Sequence, residues 1–167
     1  MNPMARCCMT IETPLGPLLA IAEGDALAGL YFADQHDLPE VSQLPAAQQH
    51  ANLDRLRDQL AQYFAGEVTR FDIPLMMHGT QFQQQVWSAL RACAHGELLT
   101  YGALAHRVGR PKSMRAVGQA VGRNPWIIVV PCHRVLAANG RLGGFSSSLP
   151  RKRALLTLEG CTWREAA

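Results

Sequence analysis

No stretch of this 167-residue chain approaches the ~20 uninterrupted apolar residues that a membrane helix requires. The opening "MNPMARCCMTIETP" also lacks the apolar core of a secretion signal. A cytoplasmic protein is expected. Cysteine is sparse and odd in number: five residues, two of them adjacent (Cys7 and Cys8), with no C-x-x-C spacing. That excludes a paired disulfide framework and a zinc knuckle, and the thiols are expected to be reduced. Compositional bias is absent as well. A hydrophobic fraction of 48% with 17% charged residues is ordinary for a folded protein and excludes long disordered tracts. The length suffices for one large domain or two small ones.

Acidic residues are scarce in one half only. A turn-like "MMHGT" at Gly79 separates two compositions. Residues 1–78 hold four arginines against ten Asp and Glu, a net charge of −6; residues 79–167 hold twelve Lys and Arg against Glu97, Glu159 and Glu165, a net of +9. Two domains divided at that point are expected, 1–78 structural and 79–167 carrying the chemistry. A basic half points to a polyanionic partner, with nucleic acid ahead of a membrane surface because no long amphipathic basic helix accompanies it. A solvated basic face is the plainer alternative.

Strand-like segments around Met9–Thr13, Leu18–Ala22 and Leu27–Phe32, separated by "PLGP" and "EGD", predict an antiparallel meander. In "NLDRLRDQLAQYFAG", Leu53, Leu56, Leu60, Tyr63 and Phe64 share a helical face that stops at Gly66. The second half opens on "TQFQQQVWSALRACAHG", where Thr80 and Gln83 fit a capping box and Gly96 a stop. Cys93 is placed on this helix and reads as a small core residue rather than a nucleophile. In "TYGALAHRVGRPKSMRAVGQAVGRNP", Thr100 caps a helix through Val108 and Ser113 caps a second one. Arg107, Arg110, Lys112, Arg115 and Arg123 surround them. Helix, short turn, helix with clustered cations fits a DNA-binding helix-turn-helix; an αα-hairpin fits the same pattern.

The run "WIIVV" predicts a buried strand, with Cys132 at its mouth after Pro131. A thiol reacts as thiolate, which a free cysteine provides only in small part at neutral pH, so a base is needed. His133 is adjacent, yet neighbouring side chains on a strand diverge, so the pair requires a bend or a bridging water. Of the three carboxylates in this half, Glu159 is preferred for orienting the imidazole. It ends the helix "PRKRALLTLEG", with Gly160 as a C-cap. A hydrolase or transferase that turns over, and a helix-turn-helix binding module without chemistry, compete at this level.

"PCHRV", preceded by "GRNP" and followed by "RKRALLTLEG", resembles the O6-alkylguanine-DNA alkyltransferase family. "TPLGPL", "LAQYFAGE", "FQQQVW", "TYGALA" and "RAVGQA" extend the resemblance along most of the chain. It implies an α/β fold: an N-terminal ribonuclease-H-like α/β domain and a C-terminal helical, winged-helix-like DNA-binding domain. The implied activity is stoichiometric transfer of an alkyl group from O6-alkylguanine, and also O4-alkylthymine, in flipped-out bases of double-stranded DNA. The implied partner is DNA alone, with the protein a monomer able to cluster on it.

The same resemblance assigns roles. Cys132 accepts the alkyl group, His133 acts as general base through a water, Glu159 orients His133, and Asn124 ties the active-site turn together. Tyr101 rotates the nucleotide and donates to the guanine ring, while Arg115 fills the gap left in the stack. Ser113, Arg123 and Arg134 join them on DNA. Phe145, Ser146, Ser147 and Lys152 belong to the guanine pocket, where "FSS" replaces the family's tyrosine-serine-glycine. No cofactor is implied. Zinc-ligand positions of some relatives fall on Met4 and Glu23, which predicts no metal site.

Overall fold

The computed structural model describes residues 5–165, which leaves Met4 outside the described residues. The chain forms two compact units, Met1–His78 and Gly79–Ala167, and the fold is mixed α/β. No helix among the described residues is long and apolar enough to cross a membrane.

In the first unit, strands β1 (Arg6–Ile11), β2 (Leu18–Glu23) and β3 (Ala26–Phe32) form an antiparallel meander, with Met9 opposite Ala20 and Leu18 opposite Phe32. The β1–β2 turn is tied by Thr13, whose hydroxyl accepts from Leu15 N at 3.2 Å and donates to Gly16 O at 2.6 Å. Both sheet edges are covered locally. Residues 45–47 exchange backbone hydrogen bonds with Cys8, and residues 74–76 with Leu27, which blunts edges that would otherwise template foreign strands. Helix α1 (Ala51–Phe64) buries Leu53, Leu56, Leu60 and Tyr63, the face expected from the spacing. Truncating any of these leucines to alanine costs about 2–5 kcal/mol. Its N-cap is His50, whose Nδ1 accepts from Leu53 N while Nε2 donates to Gly24 O. Histidine is not among the preferred caps, so no start signal is legible there.

The second unit begins with α2 (Gln81–Arg91), where Thr80 and Gln83 form the expected capping box. This helix ends before Cys93, which lies in the following turn. Burial pushes that thiol up to about 11, the setting of an inert core cysteine. Strand β4 (Leu99–Thr100) leads into α3 (Tyr101–Arg107), capped by Thr100, and then into α4 (Met114–Gly122), giving the helix-turn-helix arrangement. Ser113 occupies the N-cap position of α4 without making a side-chain cap bond, so its expected capping role is not fulfilled.

The expected strand at "WIIVV" is absent. Residues 127–129 form a turn in which Val130 N bonds to Trp126 O at 2.9 Å and Ile128 sits at φ 70°. A β-branched residue in the left-handed region is strained, and burial of the whole segment holds it there. Cys132 therefore opens a 3-10 turn, Cys132–Arg134, rather than closing a strand. Strand β5 (Val135–Leu136) follows and pairs in parallel with β4, Leu99 beside Val135 and Thr100 beside Leu136. Helix α5 (Leu149–Leu158) starts at Ser148, whose hydroxyl accepts from Arg151 N.

Candidate active site

Asn124, just past the end of α4, shapes the site. Its Oδ1 accepts from Trp126 N at 3.0 Å and its Nδ2 donates to Val130 O at 2.7 Å, closing the turn that precedes Pro131. Trp126 is fully buried and packs edge-to-face on Trp87, with ring centroids 5.4 Å apart. Trp87 in turn donates to Ala120 O of α4 at 2.8 Å. This anchoring fixes the direction in which the chain enters the Cys132–Arg134 turn. The β4–β5 pairing then sets Tyr101, the first residue of α3, beside the same turn.

Cys132, His133 and Arg134 are all buried. His133 Nε2 lies 2.8 Å from Glu159 Oε1 across 26 positions. Glu159 is the C-cap of α5, and Gly160 at φ 71° turns the chain away after it. Burial opposes ionisation of Glu159, but His133 and Arg134 outweigh it and hold the carboxyl well below the usual range. Burial lowers the His133 pKa despite the Glu159 hydrogen bond. A neutral imidazole beside an ionised carboxylate carries its proton on Nε2. Nδ1 is then an acceptor, and it is buried with no protein partner. Burial pushes the Cys132 thiol up, opposed by the Asn124 side chain, the Lys152 charge and nearby backbone amides. At rest the site thus holds a thiol at Cys132 and, at the next position of the turn, a neutral imidazole whose Nδ1 has no protein partner.

Cys132 opens onto a cavity of about 250 Å³, lined by Tyr101, Gly118 and Gly122 from the helices and by Phe145 and Ser146 from the loop before α5. Tyr101 packs on Gly118 and on Gly143, 3.8 Å from where a Cβ would stand on either. It also borders a second, open cavity of about 350 Å³ with Gly102, Met114 and Arg115. Arg115 is exposed in the first turn of α4, and Arg123 is exposed just past its last. Eight residues of helical rise put them about 12 Å apart along the axis.

Three expectations are corrected. Arg134 does not face DNA: its Nε and Nη2 donate to Glu159 at 2.8 and 2.9 Å and its Nη1 to Cys93 O at 2.8 Å, leaving the guanidinium inside the protein. Lys152 does not line the pocket. Its buried Nζ donates to Val135 O, Leu142 O and Gly144 O at 2.6, 2.5 and 3.0 Å, so it braces the pocket loop from behind, and burial lowers it to about 8. Ser147 is also turned inward, its hydroxyl buried without a protein partner, while its neighbour Ser148 caps α5. The Ser148 cap was legible, since a serine two residues before Pro150 is a helix-start signal.

Of the zinc positions, Met4 is outside the described residues. Glu23 is buried against His78 Nε2 at 3.2 Å and Arg6 at 3.7 Å. Among the described residues no group of three or more His, Cys, Asp or Glu is placed to hold a metal ion.

The family described as 6-O-methylguanine DNA methyltransferase, ribonuclease-like domain, matches residues 7–77, and the corresponding DNA binding domain matches residues 81–161. The methylated-DNA–protein-cysteine methyltransferase of Mycobacterium tuberculosis is 45% identical over 150 residues, covering 90% of each chain. The constitutive enzyme of that name from Bacillus subtilis is 42% identical over 159 residues, covering 93% of this chain and 96% of the relative. The crystal structure of M. tuberculosis OGT in complex with DNA superposes with a TM-score of 0.83 at 43% identity, covering 90% of each chain. With these matches across both units and a buried cysteine, histidine and glutamate at its centre, the chain belongs to the 6-O-methylguanine DNA methyltransferase family.

Proposed function

We propose that this protein repairs O6-alkylguanine in DNA by taking the alkyl group onto Cys132 Sγ, once per molecule. The observation that carries this reading is the buried chain from Glu159 through His133, which ends in an unpartnered Nδ1 beside the Cys132 turn. The thiol proton passes to Nδ1 through a water, the sulfur attacks the alkyl carbon in line, and the carbon–O6 bond breaks. The electron pair leaves with guanine, which is stabilised by donors such as the Tyr101 phenol and takes up a proton. A thioether has no carbonyl for water to attack, so the modified cysteine is final and no second turnover follows.

The cavity of about 250 Å³ is smaller than the ~300–1,000 Å³ of clefts for drug-sized ligands, a size suited to one base rather than a longer segment. A base inside a duplex cannot enter it, so the nucleotide is extruded, at a cost of a few kcal/mol that a weakened lesion pair reduces. Arg115, at the exposed start of α4 beside Tyr101, fills the vacated position from the minor groove while Arg123 contacts the backbone. O4-alkylthymine presents the same alkyl–oxygen bond on a smaller ring and is a second substrate. One acceptor per chain makes the monomer the working unit.

Intact mass after incubation with an oligonucleotide carrying O6-methylguanine will show one added methyl per chain, mapped to Cys132. Cys132→Ala will add none yet keep most of its DNA affinity, because phosphate contacts supply that affinity. Methyl uptake at Cys7, Cys8, Cys93 or Cys161, or binding without any adduct, contradicts the assignment.

A further inference from the structure

Two consecutive residues of one 3-10 turn, His133 and Arg134, reach the same carboxylate. Their side chains leave the backbone in different directions and reconverge on Glu159, where Oε1 accepts from both His133 Nε2 and Arg134 Nη2 and Oε2 accepts from Arg134 Nε. Arg134 Nη1 is fixed in turn on the Cys93 carbonyl. All three guanidinium nitrogens are bound, so the carboxylate has no freedom to rotate without dragging the imidazole.

The charges acting on His133 are those of Glu159 at the end of α5, Lys152 earlier on α5 and Arg134 on its own turn, and Cys132, the residue before it, adds another when ionised. With a neutral imidazole and an intact thiol, the buried groups sum to one positive charge. A proton taken from solvent raises that to two among buried groups. A proton taken from Cys132 leaves the sum unchanged, because the thiolate balances the imidazolium.

We propose that Arg134 is a positioning residue for the transfer step, clamping Glu159 toward His133 while its fixed charge keeps solvent protons off the imidazole and reserves Nδ1 for the proton of Cys132. This rests on the alkyl-transfer reading above. Arginine suits the task better than lysine, since its planar fork engages both carboxylate oxygens and stays charged at every working pH.

The test compares Arg134→Gln with Arg134→Lys in two measurements. One is the titration of the His133 ring by nitrogen NMR, in a Cys132→Ser background that removes coupling to the thiol. The other is the pH dependence of the single-turnover rate on O6-methylguanine DNA with Cys132 intact. Glutamine removes the charge, so His133 will titrate roughly one unit higher and the acid limb of the rate will move up with it. Lysine keeps the charge but loses the fork, so the limb will stay in place while the rate falls on the order of tenfold through looser alignment.

An Arg134→Gln protein with unshifted His133 titration overturns the proposal, as does a lysine variant that shifts as far as glutamine. Should the glutamine variant fail to fold, the lysine variant decides: a wild-type rate, or a limb displaced by a full unit, contradicts the inference. The NMR titration does not depend on repair, so absence of methyl uptake by the wild type refutes the proposed function without touching this result.

Discussion

Lys152 is an ammonium group enclosed by three carbonyl oxygens, with no carboxylate of the described residues against it. Its folded-state pKa of about 8 lies below the ~10.4 of an exposed lysine, so between those values the unfolded chain binds more protons than the folded one. Stability from this group therefore rises with pH across that window, because the cost of burying the charge is felt in full below about 8. Urea midpoints of wild type and Lys152→Met, measured from pH 7 to 10, will show a wild-type gain relative to the variant over that range. At pH 7 the variant is expected to be the less stable by about 1–3 kcal/mol, since Val135 O, Leu142 O and Gly144 O lose their donor. A constant difference at all pH values would show that the ammonium titrates as if exposed. At this scale the sequence was informative about identity and poor about direction. Cysteine beside histidine, with one glutamate at a helix end, marked a small set of groups that the structure brings together. Arg134 was assigned to DNA and Lys152 to the guanine pocket, and partners 8 to 41 positions away turn both inward instead.

Among the elements, α1, α2 and the meander followed from periodicity, since each buries one face against its own unit. "WIIVV" did not. Its β-branched residues favour a strand, yet Asn124 offers the backbone two alternative partners and Pro131 withholds a donor, so the segment closes on itself. Helix α4 carries the sharpest consequence. In the proposed repair, Arg115 at its exposed start would serve either as a phosphate contact or as a wedge in the stack. A phosphate contact weakens binding to all DNA alike and lowers the salt slope by about one unit. A wedge matters where extrusion is hard, so Arg115→Ala will slow repair of O6-methylguanine in duplex far more than repair in a single strand or of the free base. Equal losses on the three substrates rule the wedge out.

At the scale of the whole molecule, charge is unevenly divided, −6 in residues 1–78 and +9 in residues 79–167, and the first unit meets water as an acidic body. Each unit has its own buried core, the condition for folding as a unit. The tryptophans are divided just as unevenly. Trp87 and Trp126 form the buried pair behind the Cys132 turn and Trp163 follows α5, whereas residues 1–78 contain Tyr31 and Tyr63 but no tryptophan. Selectively excited indole emission is therefore a signal from Gly79–Ala167 alone, while far-ultraviolet circular dichroism sums both units. Followed together through a urea titration, the dichroism will contain a transition to which the emission is blind. Superimposable curves would mean that the two cores melt as one.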